Sequence, residues 1–175
     1  MAEQDESDVA KVLRGVVAGA IAGAVASFAM DRFQAVVTAV SSSDRDDNGN
    51  DEGEQSEPAT EKAADAIAQQ VAGRAIADAD KPLAGQAIHY ALGVGLGIAY
   101  GIAAEFRPSL TAGYGIGFGV ATATLLDEAA VPAVGLGSAP WHTDLSTNLY
   151  SYASHLVFGA TSELVRRQVA DTLRA

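Results

Sequence analysis

AGQAIHYALGVGLGIAYGIAAE, residues 84–105, decides the fold. As a helix these 22 residues rise roughly 33 Å, about the hydrocarbon thickness of a bilayer. Within the stretch His89, Gly93, Gly97, Gly101 and Glu105 recur at every fourth position, so three glycines form one groove with an ionisable group at each end. The stretch reads as a membrane span, and its groove as the seat of a partner helix.

Working outward, Phe106-Arg107-Pro108 stops this span, and a third apolar run follows, LTAGYGIGFGVATATLL at 110–126. It carries Asp127 and Glu128 near its end and breaks around Pro132 and Gly135. GSAPWHTD at 137–144 reads as a loop, with Trp141 suited to the membrane–water interface. LSTNLYSYASHLVFGATSEL at 145–164 is long enough for a fourth span, closed by Arg166, Arg167 and Arg174. Upstream, Lys11 and Arg14 stand before GVVAGAIAGAVASFAM at 15–30, and the apolar pattern resumes after Asp31-Arg32 as far as Val40. Ala24-Val25-Ala26 has the small-x-small form of a signal cleavage site, but the acidic start and the resumed pattern favour a retained span.

Between the first two spans, SSSDRDDNGNDEGEQSEPATE at 41–61 is too charged and too poor in apolar groups to offset its ordering entropy, and reads as disordered. Helical periodicity returns over 60–80, with Thr60 or Ala59 at its start: Ala64, Ile67, Ala68, Val71, Ala75 and Ile76 share a face. This amphipathic helix is expected at the membrane surface or against the bundle.

The expected architecture is all-α: an integral membrane bundle of four transmembrane helices with glycine-rich interfaces, plus one amphipathic surface helix. An acidic tail at 1–14 precedes a membrane domain at 15–167, with spans near 15–40, 84–105, 110–131 and 145–165. An acidic insert at 41–59, the amphipathic helix at 60–80 and a tail at 168–175 complete it. Lys11 and Arg14, Arg107, and Arg166 with Arg167 fall on one side of such a bundle, while 132–144 holds no lysine or arginine. The positive-inside rule then puts both termini in the cytoplasm and the chain in the cytoplasmic membrane.

The net charge of −11, from 22 acids against 11 bases, argues against nucleic-acid binding. Abundant acids with only Lys11, Lys62 and Lys81 as lysines resemble the proteins of salt-loving organisms. The lack of cysteine excludes disulfides and thiolate chemistry. Hydrophobic residues make up 49% and aromatics 6%, so the apolar material is mostly small, suited to close backbone contact.

The four-residue device recurs in every span. The first has Gly15, Gly19, Gly23, Ser27 and Asp31, the third Gly115, Gly119, Ala123 and Asp127, and the fourth Ser151, His155, Gly159 and Glu163. A helical hairpin used twice accounts for the pattern. Gly19, Gly23, Gly93, Gly97, Gly101, Gly115, Gly119 and Gly159 are the expected helix-packing positions. GVGLG and GYGIGFG lack the preceding strand that a dinucleotide loop needs.

Intramembrane acids and histidines call for a functional hypothesis, and Asp31, His89, Asp127, Glu128 and His155 form the candidate polar site. Carboxylates and imidazoles sharing a low-dielectric pocket tune one another's protonation, so a proton or cation site is one expectation. Interhelical hydrogen bonding is the other. Glu105 and Glu163 are expected near Arg107, Arg166 and Arg167. No His-Glu-x-x-His or Glu-x-x-His motif and no nucleophile elbow is present, so no enzyme, metal or cofactor is expected. The expected partners are the bilayer itself and a second copy of the chain or another membrane protein.

HYALGVGLGIAYGIAAEFRP at 89–108, DEAAVPAVGL at 127–136 and PWHTDLSTNLYSYASHLVFGATSELVRR at 140–167 resemble the YagU-like inner-membrane proteins, a domain family of unknown function. The resemblance implies a multi-pass cytoplasmic-membrane protein and, through one member, a link to acid resistance; it carries no catalytic or binding residues over. The expected function is a structural, assembly or stress-related membrane protein packed through small-x3-small rows, with proton or cation transport as the alternative.

Overall fold

The computed structural model describes residues 7–43 and 57–175. Most of the expected acidic insert, and the start of the acidic tail, lie outside the described residues.

Among the described residues the fold is all helical, without strands. Helix α1 spans Asp8–Ser43, α2 Ala59–Ala72 and α3 Lys81–Phe106. Helix α4, Ile116–Thr122, runs on through wide π turns at Ala123–Ala130 into the single turn α5, Val131–Ala133, and α6 spans Leu145–Arg174. Each boundary has a local cause. Pro82 sits in the first turn of α3, where its missing N–H is not needed. Pro108 forces Arg107 out of the helical region, to φ −137° and ψ 76°, and ends α3.

Four boundaries differ from the sequence reading: α1 begins at Asp8, inside the expected tail at 1–14, α6 runs on to Arg174 through the expected tail at 168–175, and two others have a visible backbone cause. Helix α2 stops at Ala72 rather than 80, because Gly73 takes a left-handed φ of 67° and its N–H returns to the Gln69 carbonyl at 3.0 Å. The chain then folds back, and the Ile76 N–H donates to Asp65 Oδ1 at 2.7 Å. The third apolar run becomes regular helix only at Ile116, because Gly113, Tyr114 and Gly115 all have positive φ. At Tyr114, with φ 53°, that conformation is strained.

Helices α1 and α3 pack antiparallel, glycine against glycine. A Cβ on Gly19 would lie 2.8 Å from Ile98 Cα, one on Gly23 2.9 Å from Val94 Cα, and one on Gly97 2.8 Å from Gly23 Cα. Helices α4 and α6 meet in the same way, with a Cβ on Gly159 2.8 Å from Gly119 Cα. Helix α1 also packs on α6, and α2 lies on α3. The centre is an aromatic layer: Tyr100 stacks on Phe118 with ring centroids 4.2 Å apart, and Phe118 meets Phe158 at 5.7 Å, beside Ala26, Met30 and Leu96.

The distribution of side chains is inverted relative to a water-soluble protein. The largest fully buried side chains are the serines Ser27, Ser154 and Ser162, while Val17, Ile21, Val25, Phe28, Leu92 and Leu125 are each at least 42% exposed. Two helical segments, Asp8–Ser42 and Asp78–Phe106, are long and apolar enough to cross a membrane.

Candidate functional site: a polar cavity between two helix pairs

Beyond the glycine crossings, each helix pair brings an aspartate to a histidine. On α1, two turns past Gly23, Asp31 Oδ1 lies 3.2 Å from His89 Nε2 of α3, and Gln86 Nε2 donates to Asp31 Oδ2 at 2.8 Å. In the other pair, Asp127 Oδ2 accepts from Ser151 Oγ at 2.5 Å and lies 3.6 Å from His155 Nδ1. His155 Nδ1 is also 3.0 Å from the Ser151 carbonyl oxygen, which can only accept, so this ring nitrogen carries a proton. Asp127 stands within the π turns, which carry more residues per turn than an α-helix and are frequent at functional sites.

All four of these side chains line one cavity of about 460 Å³, and Glu61 of α2 joins them at its wall. Glu128, the fifth candidate, is half-buried in the π turns and does not line it. No lysine or arginine lines the cavity among the described residues. Leu92, Leu96, Leu126 and Phe158 supply an apolar wall. Ser27, also lining the cavity, is fully buried, and its Oγ has no hydrogen-bond partner. His89 Nε2 likewise has no aligned partner, its approach to Asp31 being an ion-pair contact only. No group of three or more histidines and acids that could hold a metal ion occurs among the described residues.

On the far side of the aromatic layer the bundle is closed by ion pairs. Glu105, 2% exposed, accepts from Arg14 Nε at 2.8 Å and Arg174 Nη2 at 2.8 Å, with Arg166 Nη1 at 3.7 Å. Glu163, 3% exposed, forms a two-pronged pair with Arg166 at 2.7 and 2.8 Å and accepts from the Tyr100 hydroxyl at 2.9 Å. The Glu163 carboxylate holds the Arg166 guanidinium above its usual range. Arg166 meets both glutamates, as expected, and Arg14 and Arg174, rather than Arg107 and Arg167, complete the set around Glu105.

Of the five candidates expected from the sequence, the structure brings four together as an Asp31–His89 pair and an Asp127–His155 pair lining the same cavity. The sequence reading did not single out Ser27, Gln86 or Glu61 as site residues. Ser27 stood in the first four-residue row, and that row was the available signal. Glu61 is not among the residues of the apolar face expected over 60–80, and nothing in the local pattern shows that its side meets α3 at Gly85, where a Cβ would fall 2.6 Å from Glu61 Cγ.

The family described as "Protein of unknown function (DUF1440)" matches residues 57–164, more than half of the chain. No curated protein and no solved structure matches it.

Proposed function

The chain belongs to the DUF1440 family, and on that premise we propose that it is a multi-pass protein of the cytoplasmic membrane that handles protons or cations, rather than an enzyme. The observation that supports this reading is the convergence of two aspartate–histidine pairs on one cavity inside a bundle whose outer face is apolar. Ionisable groups that face a cavity between membrane helices mark ion pathways by default. The proposal takes four spans, both termini in the cytoplasm, kinship with the YagU-like proteins and a salt-adapted source as parts of the same reading. Small residues at the crossings hold the helices together where lipid offers apolar side chains no worse a surrounding than protein does. In this topology the cavity lies toward the external face under α2, and the Glu105 and Glu163 ion pairs close the cytoplasmic end.

Proton and cation flux into liposomes tests the reading. Wild-type protein is expected to conduct, and Asp127→Asn and His89→Gln are expected to abolish flux while eluting at the same oligomeric state. No flux from folded wild type overturns it.

A second reading, assembly with another copy, is favoured by an outward row of small residues on α3. Ala87, Ala91, Gly95 and Ala99 are exposed at four-residue spacing, and Gly95 has nothing within 4 Å of where a Cβ would stand. Gly95→Leu is then expected to reduce the dimer fraction in lipid nanodiscs, and an unchanged mass distribution counts against it.

A further inference from the structure

We propose that the cavity binds a small organic cation, an alkylammonium or diamine, rather than a bare metal ion. This rests on the reading of the site as cation-handling. Charge selects the sign: Asp31, Asp127 and Glu61 line the cavity, and no lysine or arginine does so among the described residues. Three carboxylates on one cavity wall with no lysine or arginine among its described residues repel one another, and a bound cation relieves that repulsion. Size selects the class, since about 460 Å³ falls within the roughly 300–1,000 Å³ range of small-molecule sites. It far exceeds one ion, and no three-ligand group is present among the described residues to replace a metal's water shell.

The lining then matches the two chemistries of an alkylammonium. Leu92, Leu96, Leu126 and Phe158 receive a carbon skeleton. The acids receive the charged head, and the unpartnered, fully buried Ser27 Oγ is left to accept one of its N–H groups. Because one aspartate–histidine pair belongs to α1 and α3 and the other to the π turns and α6, a cation with two heads engages both pairs.

Titration calorimetry of the full chain in nanodiscs, with putrescine, n-butylamine, sodium and calcium as probes, tests this. Putrescine is expected to bind at least tenfold more tightly than n-butylamine, sodium or calcium. Asp31→Asn and Asp127→Asn are each expected to weaken it at least tenfold, and Ser27→Ala severalfold. Asp171→Asn, paired with Arg174 at the opposite end, is expected to leave binding unchanged. Thermal unfolding of each variant separates lost binding from lost folding. Amine binding that survives both aspartate substitutions in folded protein overturns the proposal. Sodium or calcium binding that depends on Asp127, without amine binding, overturns the organic ligand and leaves the cation reading standing. No heat from any cation overturns both.

Discussion

On α3, Gly97 is pressed against α1, whereas Gly95 faces open space. The same substitution is therefore expected to act with opposite sign at the two positions. Gly97→Ala forces the two backbones apart and should cost about 2 kcal/mol, whereas Gly95→Ala removes backbone freedom from the unfolded chain and should add about 0.8 kcal/mol. Thermal unfolding in detergent checks this, and equal shifts would show that the crossing is not close. Glu105 makes a second prediction at this scale. Its carboxylate is 2% exposed among three guanidiniums, and Glu105→Gln removes the one carboxylate that all three share, at a cost of about 3 kcal/mol, read from the same melts. The glycine positions were legible because four-residue spacing marks one helix face whatever the partner. Of the partners of Glu105, only Arg166 was. Arg107 is two positions away but lies beyond the helix end, while Arg14 and Arg174 arrive from 91 and 69 positions away, which only the packing of α1 and α6 on α3 determines.

Element boundaries followed the backbone more than the pattern of side chains. Over 60–80, Ala75 and Ile76 continue the apolar period of α2, yet the helix ends where Gly73 turns left-handed; periodicity records which side chains want burial and is silent on where the backbone reverses. The π turns were invisible for a related reason, since one residue more per turn shifts Asp127 around the axis without any marker residue. Helix α2 rests on α3 with Glu61 against Gly85 and Ala63 at the cavity wall. Because the chain has no cysteine, Ala63→Cys provides a single thiol reporter. Gly85→Leu is expected to lift α2 and raise the labelling rate of that thiol by a maleimide roughly tenfold, as local opening becomes less costly. An unchanged rate would show that Gly85 does not seat α2.

At the scale of the molecule, the all-helical fold was legible from long apolar runs without strand alternation. How the four principal helices pair was legible only in part: the glycine rows mark the faces that meet, but not the meeting of Tyr100, Phe118 and Phe158 from three helices. The outward-facing valines, leucines and phenylalanine predict that the protein stays with the membrane through an alkaline carbonate wash, and that reporters fused to either terminus both register the cytoplasm. Release by the wash, or opposite readings from the two ends, would remove the four-span topology.

The serine, alanine and glycine interior has a consequence for transferring this protein to another solvent. Replacing the exposed Val17, Ile21, Val25, Phe28 and Leu125 with glutamate and lysine would make the surface more compatible with water, yet the redesigned chain is expected not to fold there. Water rewards the burial of apolar area, at about 25 cal/mol per Å², and outside the single aromatic layer around Phe158 this interior is mainly serine, alanine and glycine, which offer little such area. On the proposed reading the helices recognise one another by shape in a medium that already satisfies their outer faces, and the bilayer is then a component of the fold and not only its location.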